Sequence, residues 1–302
     1  MAEDREDRFI EDKKPSFDIS SLKSGGFIKQ RQKDLFTVRL KAPGGRLPIS
    51  KMKKIVEVAE KYSGVDFVHI SVRQSVEIPY VHIKDFEALR KDLVAVGQEI
   101  ASCGPRVRVP TACGGCEWNP NGLTNTQGMA LEVDRRYFGT ECYHKFKTSF
   151  SGCPIDCART REMDLGFQGI VDPIRDEESC ILCGICTYAC KEGALSLDEE
   201  AKKILYDQTK CIYCGDCIRV CPTESWKARK VGWLVRVGGK HGRHPREANE
   251  VFYFLPDEEV FLTIEKTLEW YREKGKRGER VGTTLDRVGI ESYQASVFPS
   301  KA

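Results

Sequence analysis

Twelve of the fourteen cysteines stand in three spaced groups, and that spacing constrains the fold more than any other feature of the chain. Cys180, Cys183, Cys186 and Cys190 form C-x2-C-x2-C-x3-C, and Cys211, Cys214, Cys217 and Cys221 repeat it, with Pro222 following. Cys113 and Cys116 give C-x2-C in a glycine-rich loop, and Cys153 and Cys157 give C-x3-C. The amino terminus, Met1-Ala2-Glu3-Asp4-Arg5-Glu6-Asp7, is the opposite of a signal peptide. No run approaches the ~18 apolar residues of a membrane span. A cytoplasmic chain is expected, and in a reducing compartment grouped thiols serve as metal ligands rather than disulfides. Cys103 and Cys142 lie outside the groups and read as plain buried thiols.

The two four-cysteine runs have the spacing of the two-cluster bacterial ferredoxins, in which the fourth cysteine of each run ligates the other cluster. That pattern assigns Cys180, Cys183, Cys186 and Cys221 to one 4Fe-4S cluster, and Cys211, Cys214, Cys217 and Cys190 to a second. Zinc modules favour C-x2-C pairs separated by a longer spacer. A ferredoxin needs only a fraction of this chain, so the remainder must use or supply the electrons. With 48 basic and 45 acidic residues the formal charge is only +3, which points neither to nucleic acid nor to an anionic membrane. Any cationic function must be local.

Hydrophobic period divides the rest. Residues 1–30 are charged and carry Gly25-Gly26, as an extended arm would. Residues 31–103 read as strand, helix, two strands and helix: Leu35–Leu40 alternates, Ser50 caps a helix to about Lys61, Val65–Ile70 and Ser75–Ile78 are strands, and a helix spans 84–97. This is a small α+β domain with an antiparallel sheet. Residues 104–173 and 229–302 form a second domain, interrupted by the Cys-rich insertion at 174–228. In it Arg106–Val109 is a short strand, 125–138 a helix, Gly166–Val171 a strand ended by Asp172-Pro173, and Asp257 caps a helix to about Lys274. The tail from Gly282 is weakly patterned. Lys145-Phe146-Lys147 alternates as a strand, which sends both ammonium groups to one face and the ring into the core. Pro154 suits the first position of a helix, whose first turn would bring Cys153 and Cys157 to one side and whose dipole would favour thiolates. Cys113, Cys116, Cys153 and Cys157 suffice for a third 4Fe-4S cluster, although a zinc site would use the same ligands.

Several of these stretches resemble a known family. Gly152-Cys153-Pro154-Ile155-Asp156-Cys157-Ala158, followed by Asp164-Leu165-Gly166-Phe167-Gln168-Gly169-Ile170, is similar to the second cysteine motif of the sirohaem (siroheme) sulfite and nitrite reductases. His69-Ile70-Ser71-Val72-Arg73-Gln74 resembles the family's Thr/Ser-x-Arg-Gln strand, Lys145-Phe146-Lys147-Thr148 its Lys-x-Lys-Thr strand, and Thr111-Ala112-Cys113-Gly114-Gly115 its first cysteine motif. The ferredoxin insertion is similar to that of the family's anaerobic sulfite reductase branch. The resemblance spans roughly residues 35 to 290. It implies a ferredoxin-like amino-terminal domain and a catalytic domain holding sirohaem, whose iron is bridged through Cys157 to a 4Fe-4S cluster. One position departs: the family's first motif is usually C-x5-C, and position 119 is Asn119. Cys116 is the nearby substitute, reached by a tighter loop that Gly114 and Gly115 permit.

The resemblance implies that Arg73, Arg108, Lys145 and Lys147 hold the substrate anion, with Arg106 as a neighbour of Arg108 on the same face. Cations in a water-poor pocket attract sulfite, stabilise charge as S–O bonds break, and pass protons through ordered water. Nitrite reductases of the family tend to carry Asn at the position of Lys147, so the lysine favours sulfite. Sirohaem is a polycarboxylate, and Arg46, Lys240 and Arg243 are candidate clamps for it. The expected function is the six-electron reduction of sulfite to sulfide, fed by an electron-donor protein or subunit through the ferredoxin module. One copy of the repeated catalytic unit implies a homo- or hetero-oligomer. The alternatives are nitrite reduction to ammonia, a haem-free iron-sulfur electron-transfer subunit, and a cysteine-rich zinc protein.

Overall fold

The computed structural model describes residue 22 and residues 25–299. Most of the expected arm lies outside the described residues, and its last part is sheet rather than arm. β1 (Phe27–Lys29) pairs with β2 (Leu35–Arg39), and Phe27 is buried. β3 (His69–Ile70) and β4 (Val76–His82) complete an antiparallel sheet of order β1-β2-β4-β3. Alternation in β2 turns Phe36 and Val38 inward onto the helices Ile49–Tyr62 and Phe86–Ala95, where Ile55, Leu89 and Leu93 are fully buried. The strand-helix-strand-strand-helix order is as expected, with two local corrections. The first helix starts at Ile49 behind Pro48, so Ser50 lies inside its first turn and caps nothing. The strand expected from Val65 is reduced to His69–Ile70.

The second sheet is mixed. β5 (Thr111–Ala112), β6 (Thr148–Ser151) and β7 (Leu165–Arg175) run parallel. After the small hairpin β8 (Leu195–Asp198) and β9 (Lys203–Tyr206), β10 (Trp226–Val237) and β11 (Asn249–Leu255) return antiparallel, giving the order β11-β10-β7-β6-β5. One face carries Phe150, Phe167, Trp233 and Val235 and is covered by the helices Thr126–Tyr137 and Val260–Lys274. Phe150 and Phe167 stack at 5.1 Å, with Trp233 edge-on to both. The opposite face is polar yet buried, with Ser149, Ser151, Gln168 and Arg236. Arg236 Nη1 donates to Gln168 Oε1 at 2.5 Å and to Thr160 Oγ1 at 3.2 Å. Ser151 Oγ on that face donates to Asp156 Oδ1 at 2.7 Å, which ties the turn between Cys153 and Cys157 to it.

Several expectations shift here. β7 does not stop at Asp172-Pro173 but runs through to Arg175, because β10 has a register shift between Ala228 and Lys230, opposite Pro173 and Asp172. A proline that cannot donate to a ladder is tolerated at such a bulge. β7 and β10 thus continue as a two-stranded ribbon, from whose end residues 176–225 project. Those residues contain the short helices Ile185–Ala189 and Asp216–Val220, packed around Cys186, Leu195, Ile204 and Trp226. Arg106–Val109 makes single bridges, to Glu141 and Phe146, rather than a strand. Asp257 does not cap its helix: its carboxylate accepts the Trp233 indole N–H at 2.6 Å. The weakly patterned tail forms two short helices, Val281–Val288 and Ile290–Val297, held by buried Val281, Leu285, Tyr293 and Val297.

Candidate active site

Arg73 stands at the tip of the β3–β4 hairpin. Ser71 N donates to Ser75 O and Gln74 N to Ser71 O, both at 2.9 Å, which closes the turn. Gln74 takes the left-handed conformation, φ 61°, and its side chain clamps Ala112 from both sides: Nε2 donates to Ala112 O at 2.6 Å, and Oε1 accepts from Ala112 N at 2.9 Å. The amide therefore fastens the first domain to the loop that begins the first cysteine motif. Arg73 Nη2 donates to Val109 O at 2.5 Å, while Nη1 is buried without a partner in the protein. A buried guanidinium N–H with nothing to bind is a place for an anion.

Phe146 is fully buried and bridges to Val107, so the alternation expected of Lys145-Phe146-Lys147 holds, although regular strand begins only at Thr148. Arg39, Arg73, Arg108, Lys145 and Lys147 line one cavity of about 490 Å³, together with His144 and Cys103. Arg108 spends two donors on the loop beneath it, reaching Ser102 O at 3.2 Å and Gly104 O at 2.8 Å. Arg106 instead pairs with Glu141 at 3.5 Å and lines a different cavity. Burial, reinforced by Arg73, Arg280 and Lys145, pushes the Lys147 ammonium down to about 7. Burial and then Arg108 and Arg39 push the Arg73 guanidinium down to about 10, still charged at neutral pH. Burial, then Lys145, lowers the His144 imidazole, which favours its neutral form.

A second cavity of about 140 Å³ is lined by Arg73, Lys147, Cys157 and His241. Arg73 and Lys147 thus border both spaces, and the smaller one reaches the thiol. Behind Lys147, the fully buried Asp164 accepts the Lys147 backbone N–H at 2.9 Å and is forked by Arg280 at 2.7 and 2.5 Å.

The helix expected at Pro154 is absent. The chain instead turns around Asp156, at φ 57°, whose carboxylate accepts Ser151 Oγ at 2.7 Å, Thr160 N at 2.8 Å and Arg161 N at 3.4 Å. Those bonds replace helical ones, so the dipole argument for thiolates does not apply here. Cys153 is buried and Cys157 exposed. Burial raises the Cys153 thiol and the neighbouring Cys113 and Cys157 add to the rise, which places the three sulfurs in one another's field. Cys113 Sγ accepts Gly152 N at 3.1 Å, and its carbonyl accepts Thr126 Oγ1 at 2.6 Å at the start of the helix Thr126–Tyr137, which Asn125 caps. Cys116 is exposed, its N–H bound to Thr124 O at 3.0 Å. Asn119, at the family's usual second cysteine position, ends this turn, its side chain accepting Asn121 N at 3.0 Å. Of the two ungrouped cysteines, Cys142 packs against the core, but Cys103 lines the cationic cavity, with Arg39 Nη1 3.8 Å from its sulfur.

In residues 176–225 the two runs interdigitate. Burial raises the Cys217 thiol, and Cys214, Cys211 and, from the other run, Cys186 act on it as well. Cys180, Cys190 and Cys221 pack against the same small core, and Cys183 is exposed. The second run packs against β7. Tyr213 O accepts Val171 N at 3.0 Å, and a Cβ at Gly215 would stand 2.8 Å from Val171 and 3.7 Å from Leu123. Leu123 N in turn donates to Gly152 O at 2.8 Å, beside Cys153. Among the described residues no group of His, Cys, Asp or Glu converges on a point where one metal ion could sit. A cluster offers each thiolate its own iron and does not require that.

All three haem-clamp candidates, Arg46, Lys240 and Arg243, stand off both cavities. Arg46 forks Glu117, with Nη1 2.8 Å from Oε2, and lies over the Trp118 ring at 5.7 Å. Arg243 is exposed, and Lys240 pairs backbone to backbone with Arg246, leaving His241 as the residue of that loop lining the smaller cavity. Arg39, Asp164, His241 and Arg280 were not singled out by the sequence. Asp164 sits inside a motif quoted above, but no local pattern ties Arg280, over a hundred residues away, to Lys147.

Fold and site define a class: iron-sulfur redox proteins in which a half-domain supplies cations to a cysteine-bearing domain. Residues 103–301 match the nitrite and sulphite reductase 4Fe-4S domain, and residues 28–96 match the nitrite/sulfite reductase ferredoxin-like half domain. The chain belongs to the nitrite and sulfite reductase family. It is 32% identical over 276 residues to the coenzyme F420-dependent sulfite reductase of Methanocaldococcus jannaschii, covering 90% of this chain but only 44% of that protein. It is 27% identical to one of the subunits of the anaerobic sulfite reductase of Salmonella typhimurium, covering 94% of this chain and 90% of that polypeptide. The crystal structure of dissimilatory sulfite reductase I shares the fold, with a TM-score of 0.73 at 20% identity over 87% of this chain and 69% of that one. Among the described residues no helix is long and apolar enough to cross a membrane.

Proposed function

We propose that this chain is the sirohaem-bearing catalytic subunit of a sulfite reductase, taking sulfite to sulfide with six electrons. The observation that carries the reading is the double position of Arg73 and Lys147, which border both the cationic cavity and the smaller space reaching Cys157. A polycarboxylate suits these walls: buried N–H groups of Arg73 and Arg108 lack partners, and Arg39 and His144 add further donors. Cys113, Cys116, Cys153 and Cys157 would hold the coupled 4Fe-4S cluster, with Cys157 as the bridge. When bound, the sirohaem supplies the iron at which sulfur is reduced.

The chain's own residues do the rest. Arg73 and Arg108 orient the anion and offset its charge without giving up protons. Lys147, poised near neutrality, holds a proton that it can release toward a departing oxygen, and Lys145 adds charge beside it. Lys147 in place of Asn, and relatives named for sulfite, favour sulfite over nitrite. Residues 176–225 would hold the two other clusters in the ferredoxin assignment and take electrons from a donor protein or subunit. The second run would pass them inward, a reading supported by its packing against Val171 and Leu123 beside Cys153. A second copy of the unit, in a homo- or hetero-oligomer, would complete the haem pocket.

The test is the optical and EPR spectrum of anaerobically purified protein with its iron count. Sirohaem bands that respond to sulfite and about 13 irons per chain are expected from three clusters and one haem. Absent haem bands and about eight irons would identify an electron-transfer subunit instead.

A further inference from the structure

Lys147 sits beside a buried carboxylate with which its ammonium does not pair. Asp164 is wholly buried, and its carboxylate is filled by three donors: Arg280 Nε at 2.7 Å, Arg280 Nη2 at 2.5 Å and the Lys147 backbone N–H at 2.9 Å. Arg280 is itself 7% exposed and reaches Gly239 O at 3.4 Å, while Asp164 O accepts Gly238 N at 2.9 Å. Four segments therefore meet around Asp164 and Arg280. A buried carboxylate without its arginine would capture the nearest cation, because an unpaired buried charge is costly.

We propose that Asp164 and Arg280 are a positioning pair for Lys147: Asp164 fixes the lysine's main chain, and Arg280 occupies the carboxylate so that the ammonium is left to the substrate anion. This rests on the sulfite reductase reading for its consequence, but not for its geometry. The charges facing Lys147 come from every neighbouring element. Arg73 from the hairpin, Lys145 from the segment that leads into β6 and Arg280 from the carboxy-terminal segment all disfavour its proton, and Asp164 alone among the named neighbours favours it. Arg39, Arg108 and His144 line one cavity with it, and Cys157, Glu162 and His241 the other. Of the pair, Arg280 acts on Lys147 more strongly than Asp164. Removing the arginine alone both deletes a repelling charge and frees a carboxylate to bind the ammonium.

The test compares the anaerobic holoprotein with Arg280→Met and with the double variant D164N/R280M. The pH dependence of acetic anhydride labelling at Lys147, read by peptide mass spectrometry without substrate, reports the ammonium directly. In R280M the half-labelling pH should rise by about one unit or more, and KM for sulfite should rise ~10-fold with a smaller change in kcat. In the double variant both should return toward the parent values. Unchanged labelling in folded R280M, or a double variant no better than the single, would overturn the proposal. If R280M does not fold, Asp164→Asn alone decides: with Arg280 left unneutralised beside it, Lys147 should label at a lower pH than in the parent, and unchanged labelling refutes the pair. A protein that labels as expected yet does not turn over sulfite would count against the functional reading alone.

Discussion

Gly152 lies face to face with Gly115: a Cβ built on Gly152 would stand 2.7 Å from the Gly115 Cα, so the two cysteine loops meet backbone on backbone. Gly122 is pressed onto the Gly115 carbonyl, and Gly169 onto that of Gly152, in the same way. Only glycine allows this approach, and it sets the distance from Cys113 to Cys153.

Gly152→Ala should therefore part the loops and cost the coupled cluster. Iron analysis should show a loss of about four irons or more, while the irons proposed for residues 176–225 remain. Gly64→Ala is the control, since no atom lies within 4 Å of its would-be Cβ. Full iron in G152A would show that the loops tolerate separation.

The Lys147 ammonium titrates near 7 because burial and its cationic neighbours disfavour the charge. For sulfite, kcat/KM should fall as pH rises through neutrality, and Lys147→Met should abolish that limb and lower kcat by ~10²–10⁴-fold. Stability carries the matching sign. Between about 7 and the ordinary 10.5 the unfolded chain binds the proton that the folded one has lost, so stability from this group rises with pH across that window. K147M should flatten the slope in denaturant titrations at several pH values. An alkaline limb that survives in K147M would assign it to another group.

Cys116 is exposed and three positions short of the family's usual spacing, and Asn119 there is committed to a turn. Cys116→Ser should lose the coupled cluster, whereas Cys103→Ser, at a cysteine outside the motif groups, should keep full iron. Equal iron in the two variants would remove Cys116 from the ligand set.

Asp156 organises the C-x3-C turn through three acceptor contacts. Asp156→Ala should destabilise the apoprotein by about 1–3 kcal/mol in urea titration, and Asp156→Asn by less, because Asn also tolerates the left-handed conformation and keeps one acceptor. Equal losses would show that charge, not the acceptor, holds the turn.

Sequence pattern located most of this arrangement. Alternation was sufficient for Lys145-Phe146-Lys147, because a fully buried Phe146 forces the flanking side chains outward, and for Phe36 and Val38 in β2. It failed where a local rule met a stronger partner. Pro154 would open a helix by propensity, but the Asp156 carboxylate captures the amides that a helix would need, and Asp257 gives its cap to the Trp233 indole. The strand through Pro173 depends on a register shift in β10, some fifty residues away, and the tail helices show too few apolar positions to be read without the core that Tyr293 and Val297 enter. Arg280 was invisible for the same reason: its meaning lies in Asp164, which no spacing links to it.

The measurement closest to the central claim is the steady-state kcat/KM of the anaerobic holoprotein for sulfite and for nitrite under one reductant, with sulfide quantified. The account predicts sulfide formation, one sulfide for every six electrons consumed, and a higher kcat/KM for sulfite. A higher value for nitrite, or no sulfide from a protein that carries its full iron and haem, would contradict it.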